Sequence, residues 1–199
     1  MKRKSFVFIM VLSIICMFTA CEIAKNTPEK VLSKLRKLNT YESSLDIVYS
    51  NDREQRKEEC NQYYSKENGY LLKIGEGRTY FYKDGNINVT DNIAQKKYVV
   101  ENEFDEVYKY TCIDEVLNLS TNDDTKITTR EHEGKIFLSV EVVLPGVNRN
   151  LAKGELIIDM ENAQPQQFNI YDLKGEERIK INYRDFIANQ TIDKEVFEQ

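Results

Sequence analysis

The sequence has a single histidine, no tryptophan, three prolines and eight glycines in 199 residues. One histidine, His132, rules out histidine-rich zinc sites and leaves little for Ser-His or Cys-His machinery. Positive charge is also short: 28 Lys and Arg stand against 33 Asp and Glu, a formal charge of −5. The basic footprint of a nucleic-acid binder is therefore missing. The four cysteines form no Cys-x-x-Cys pair, so zinc-ribbon and thioredoxin-type chemistry has no support. No Pro-rich or Ser-rich linker divides the chain. What is present is a 41% apolar fraction with 12 Tyr and 9 Phe, enough to build a core.

The N-terminus carries Lys2, Arg3 and Lys4, then an apolar run from Ser5 to Phe18. That run falls short of the ~20 residues a helix needs to cross a bilayer, and it follows a basic region, so it reads as a secretory signal. Phe18-Thr19-Ala20-Cys21 resembles a bacterial lipobox, with Phe where Leu is usual. The resemblance implies cleavage before Cys21 and a diacylglyceryl group on its sulfur. The expected layout is a signal peptide over 1–20, a lipidated tether over 21–26 and a domain over 27–199. Loss of three cations takes the charge from −5 to −8. An anionic leaflet does not attract such a body, so the anchor has to be lipid. Of the remaining cysteines, Cys60 sits in the polar run Glu58-Glu59-Cys60-Asn61 and is expected exposed. Cys112 is expected in a helix facing the core, and both are expected as free thiols.

Thr27-Pro28 opens a helix whose stripe is Val31, Leu32, Leu35 and Leu38. Beyond Asn39 the period becomes two. Tyr41, Ser43, Leu45, Ile47 and Tyr49 alternate with polar residues. Further strands are expected over 53–65, 70–74, 78–82 and 87–100, with Asp84-Gly85 as a hairpin turn. Phe104, Val107, Tyr108, Ile113, Val116 and Leu117 recur at helical spacing, predicting one or two helices over 101–119. Strands return from Lys126, through Ile136 to Val142, Gly154 to Asp159, Gln166 to Asp172 and Arg178 to Asp185. Ile179, Ile181 and Tyr183 point inward and Lys180, Asn182 and Arg184 outward. That alternation predicts an antiparallel sheet with one wet face, in one α+β domain.

The run Gly154-Glu155-Leu156-Ile157-Ile158-Asp159, Gln164-Pro165, Phe168 to Asp172, Gly175 and Ile181 to Phe186 resembles the LolA/LolB/RseB superfamily of lipoprotein carriers and sensors. The resemblance spans about residues 27–199 and is most specific in the last third. It implies a highly curved antiparallel sheet, a half-open barrel, with helices covering the concave face. Lys outnumbers Arg 19 to 9, a bias typical of AT-rich Gram-positive anaerobes, which have no outer membrane to receive lipoproteins. With the lipobox, the chain resembles the clostridial spore-germination lipoproteins of the GerS type. That resemblance implies a non-catalytic partner that binds and activates a cortex-modifying N-acetylmuramoyl-L-alanine amidase of the CwlD type. It would be anchored on the outer face of a cell or spore membrane.

Local chemistry offers little against this. Gly75-Glu76-Gly77 lacks the third glycine and following helix of a phosphate loop. Glu131-His132-Glu133 precedes Gly134 at a hairpin end and has no metal partners in sequence. Glu101, Glu103, Asp105 and Glu106 suit a helix start. Asn88-Val89-Thr90 and Asn189-Gln190-Thr191 match glycosylation sequons by pattern alone. No catalytic residue, metal ligand or cofactor is expected. The other functions open are a carrier or receptor for lipoprotein acyl chains, lined by Tyr80, Phe81, Tyr82, Tyr98, Phe104, Tyr108 and Tyr110, and an RseB-like sensor of a membrane regulator. Exposed edge strands also admit a strand-swapped homodimer.

Overall fold

The computed structural model describes residues 26–198, so the expected signal peptide and Cys21 lie outside the described residues. Helix α1 spans Pro28–Arg36; Thr27 is its N-cap, accepting the Lys30 N–H, and Pro28 stands in the first turn. It buries Val31, Leu32 and Leu35 and leaves its lysines in water. Eleven strands follow: β1 Thr40–Ser50, β2 Gln55–Ser65, β3 Gly69–Ile74, β4 Arg78–Lys83, β5 Asn86–Asp91 and β6 Lys96–Glu101. After a crossing segment come β7 Lys126–His132, β8 Lys135–Val143, β9 Lys153–Asp159, β10 Gln164–Tyr171 and β11 Glu177–Ala188.

All form one curved, unclosed sheet in the order β6-β5-β4-β3-β2-β1-β11-β10-β9-β8-β7. Every pairing is antiparallel. The two halves join at the centre, where β1 pairs with β11: Leu45 faces Tyr183, Ile47 faces Ile181 and Tyr49 faces Ile179. All six point to one side, as the period-two alternation of both strands requires. Turns are as tight as the sequence predicts. Asp84-Gly85 and Glu133-Gly134 both have positive φ at each residue, the mirror-image turn that matches strand twist.

The strands run between two rims. One rim collects the turns at 66–68, 84–85, 133–134 and 160–163; the other collects 51–54, 75–77, 92–95, 144–152 and 172–176. The chain enters at the first rim, where Asn26 Nδ2 donates to the carbonyls of Met160 (2.7 Å) and Glu161 (3.0 Å). Asn26, the last residue of the expected tether, is thus fastened to the sheet.

Residues 102–125 connect the two edge strands by crossing the buried side. The helical spacing there resolves into two 3-10 turns, Asn102–Phe104 and Tyr108–Thr111, and a seven-residue helix α2, Ile113–Leu119. The helical spacing is interrupted at Asp105, which adopts an extended backbone (φ −90°, ψ 113°) and caps the next turn. Phe104 consequently leaves the core and is 77% exposed. α1 and α2 share the core with the buried side of the sheet: Val31, Leu35, Ile113 and Val116 lie among Leu45, Ile47, Leu138, Leu156, Phe168 and Ile181. Gly154 in β9 has a packing reason. A Cβ there would lie 2.3 Å from the Phe168 ring, so the ring occupies the space a side chain would need.

Candidate interaction surfaces

Cys60 is 2% exposed, against the expectation from its polar neighbours. It faces inward from β2, opposite Leu45, and Glu59 and Asn61 face outward. Its inward neighbours on that strand, Glu58 and Gln62, are polar, which hides the alternation. Cys112 is buried at the N-terminus of α2, its sulfur 3.4 Å from the Tyr41 hydroxyl. Both are free thiols, and burial pushes each up to about 12, so neither is a nucleophile near neutral pH.

Those inward polar groups hold the crossing segment down. Asp105 accepts the N–H groups of Val107 (3.0 Å), Tyr108 (2.9 Å) and Lys109, and the Tyr82 hydroxyl at 2.8 Å. Glu58 accepts the hydroxyls of Tyr108 (2.9 Å) and Tyr49 (3.2 Å). Tyr70 donates to Gln62 (3.0 Å) and meets the Thr111 hydroxyl, while Tyr183 donates to the Thr111 carbonyl (3.3 Å). The Ile113 N–H donates to Tyr41 (3.1 Å). Buried polar groups are costly unless paired, so this network gives the segment one position rather than a range. Gln62 Nε2 alone among these is left without a partner.

The aromatic set expected to line an acyl cavity therefore divides. Tyr80 packs on Tyr108 at 5.3 Å and Tyr110 on Phe168 at 6.1 Å between ring centres, so these rings fill the buried side. Tyr98 is 45% exposed near the open β6 edge. Phe81 lies on the outer face, where Phe197 of the C-terminal turn Lys194–Phe197 covers it at 6.3 Å.

The other sequence candidates lie apart. His132 is exposed at the β7–β8 hairpin, 3.9 Å from Glu133. Gly75 and Gly77 form a turn between β3 and β4. Asn189 is structural: its Oδ1 accepts the Asn39 N–H at 3.0 Å. Among the described residues no group of three or more His, Cys, Asp or Glu is placed to hold a metal ion. No helix among them is long and apolar enough to cross a membrane.

Three surfaces remain. The sheet has open edges at β6 and β7, and β7 is exposed along its length. The outer face is charged at its centre, where Asp46 binds Arg184 (2.8 Å) and Lys57 (3.2 Å). The rim away from the chain entry holds an open cleft of about 830 Å³ with Tyr49, Leu151 and Ile179 as its apolar part. Arg178 closes one side, bound to Asp172 (2.8 Å), Asp52 (3.2 Å) and Glu176. The Glu176 N–H and that arginine hold the Asp172 carboxyl below the usual carboxylate range.

What the described residues define is a single curved, unclosed antiparallel sheet with open edges, its buried side packed on two helices. The chain belongs to the family of YdcC-like sporulation proteins, whose model matches residues 2–197. Its fold is shared with a conserved protein from Thermus thermophilus at 9% identity and a TM-score of 0.59, over 86% of this chain and 92% of that one. Looser likenesses are to the LolA superfamily protein NE2245 from Nitrosomonas europaea (10% identity, 87% and 98% covered, TM-score 0.44) and to a structure of the Clostridioides difficile CwlD amidase in complex with the GerS lipoprotein (19% identity, 81% and 95% covered, TM-score 0.48). No curated protein matches the sequence.

Proposed function

We propose that this chain is an exported, lipid-anchored, non-catalytic subunit that docks on a cortex-modifying N-acetylmuramoyl-L-alanine amidase of the CwlD type and activates it, in support of spore germination. Residues 1–20 are its signal peptide, Cys21 carries the lipid, 21–26 form the tether and 27–199 the working domain. α1 and the crossing segment cover the concave side. The observation that carries the reading is the pinned crossing segment. Asp105, Glu58, Thr111 and Tyr70 fix it over the sheet, so the place where a carrier would hold an acyl chain is occupied by the protein itself. Function is left to the edges, the rims and the outer face. Membership of a sporulation family supports the setting, and the sequence resemblance described above supplies the partner class. A second copy bound through an open edge strand is compatible with this reading.

Mixing the lipoprotein with the purified amidase and following both by size exclusion tests the docking. A stoichiometric complex is expected, and separate elution at tens of micromolar refutes it. Cys21→Ala is expected to abolish labelling with radioactive fatty acid; continued labelling refutes the anchor.

A further inference from the structure

The rim opposite the chain entry carries three strongly exposed apolar side chains: Ile93 on the β5–β6 turn, and Val147 and Leu173 together on two loops in the other half of the sheet. Val147 is 98% exposed and Leu173 is 64% exposed. Their loops are held together: the Leu173 N–H donates to the Arg149 carbonyl (3.0 Å), and the Ala152 N–H to the Tyr171 carbonyl (2.9 Å). Asn148 ties the same loop to Glu106 of the crossing segment at 2.7 Å. Asp172 fixes the other turn by accepting the N–H groups of Lys174 (2.8 Å) and Glu176 (3.0 Å). Val147 and Leu173 stand on loops joined by hydrogen bonds, and one of these loops also supplies Asn150 and Leu151 to the 830 Å³ cleft, so a partner would meet them already ordered.

The placement of the anchor selects the occupant. Cys21 is five residues from Asn26, so the lipid is at most about 18 Å from the entry rim. The eleven residues of β1 put the far rim about 35 Å beyond it. To bring Val147 to the same bilayer, the protein would have to lie on its side, and a body of charge −8 is repelled there by an anionic leaflet. The cleft itself is neutral, with Asp52 and Glu54 against Arg53 and Arg178. It offers a lipid headgroup no net attraction, and it suits a protein surface.

We infer that the rim bearing Val147 and Leu173 is a protein-docking surface, held away from the membrane to receive an apolar pocket on a folded partner. The identity of that partner rests on the amidase reading above.

The test uses the lipidated protein in vesicles of phosphatidylglycerol and phosphatidylcholine. Amidase affinity is measured for wild type, for Val147→Asp with Leu173→Asp, and for Phe104→Asp, an exposed apolar control on the segment that leaves the entry rim. The double variant is expected to bind at least tenfold more weakly with an unchanged melting temperature, and the control to bind as wild type. Equal binding by all three overturns the rim assignment and leaves the amidase reading standing. Absence of wild-type binding overturns the amidase reading and, with it, the docking partner. A benzophenone placed at 147 is expected to cross-link the amidase, and cross-linking to lipid overturns the inference outright.

Discussion

Gly154→Ala probes the core where the sequence motif and the packing meet. The added Cβ would lie 2.3 and 2.6 Å from two Phe168 ring atoms and 3.3 Å from Leu144 Cδ2. Phe168 is fully buried and packed against Tyr110, so its ring cannot swing into solvent. Overpacking of this kind costs ~1–3 kcal/mol. Removing a flexible glycine from the unfolded chain offsets less than ~1 kcal/mol of that. The net loss is expected near ~2 kcal/mol, read as a lower urea midpoint at constant slope. Phe168→Leu alone shortens the ring and leaves a partial cavity, at a cost of ~1–2 kcal/mol on the scale of large-to-small changes. In the double variant the new methyl occupies space that the ring vacated. The two losses should therefore fall short of their sum by at least ~1 kcal/mol. Additivity within ~0.5 kcal/mol, or a Gly154→Ala protein as stable as wild type, would refute the packing argument.

Asp105→Ala removes the acceptor for three backbone N–H groups and the Tyr82 hydroxyl, and should cost ~2–4 kcal/mol in denaturant unfolding. Cys60 and Cys112 should resist a thiol reagent in the native protein and both react within the dead time in 6–8 M urea, roughly the range that unfolds small proteins. Burial raises Cys60, Cys112, Tyr108 and Tyr110 to about 12 in the folded protein. From about pH 9 upward the unfolded chain loses these protons first, so stability should be flat at neutral pH and fall steadily towards pH 12. A melting temperature that holds constant across that window would contradict the burial. A fluorescent fatty acid should show no saturable binding, and stoichiometric binding at micromolar concentration would favour the carrier function.

The legible parts of this fold are those whose inward residues are apolar. β1 and β11 alternate Leu45, Ile47, Ile179 and Ile181 with polar neighbours, and they form the seam of the sheet. β2 hides its phase because Glu58 and Gln62 point inward, and their partners are distant tyrosines that no local pattern reveals. The burial of Cys60 is masked for the same reason. The crossing segment has the right apolar residues at the right spacing. Asp105 breaks the helix by bonding N–H groups that a continuous helix would pair otherwise, and Phe104 stays outside. Of the site, the run from Gly154 to Phe186 carries the superfamily resemblance, and the turn pairs carry the hairpins. The two apolar tips at Val147 and Leu173 are invisible to a sequence reading, because single apolar residues in loops give no periodic signal.

The function proposed above is that this protein activates an amidase through its surface and catalyses nothing itself. Spore cortex muropeptides digested with the amidase alone, with this protein alone, and with both together test it most directly. The account predicts no side-chain release by this protein, little by the amidase, and a severalfold increase in free peptide side chains from the mixture. Release by this protein alone, or a mixture no more active than the amidase, would contradict it.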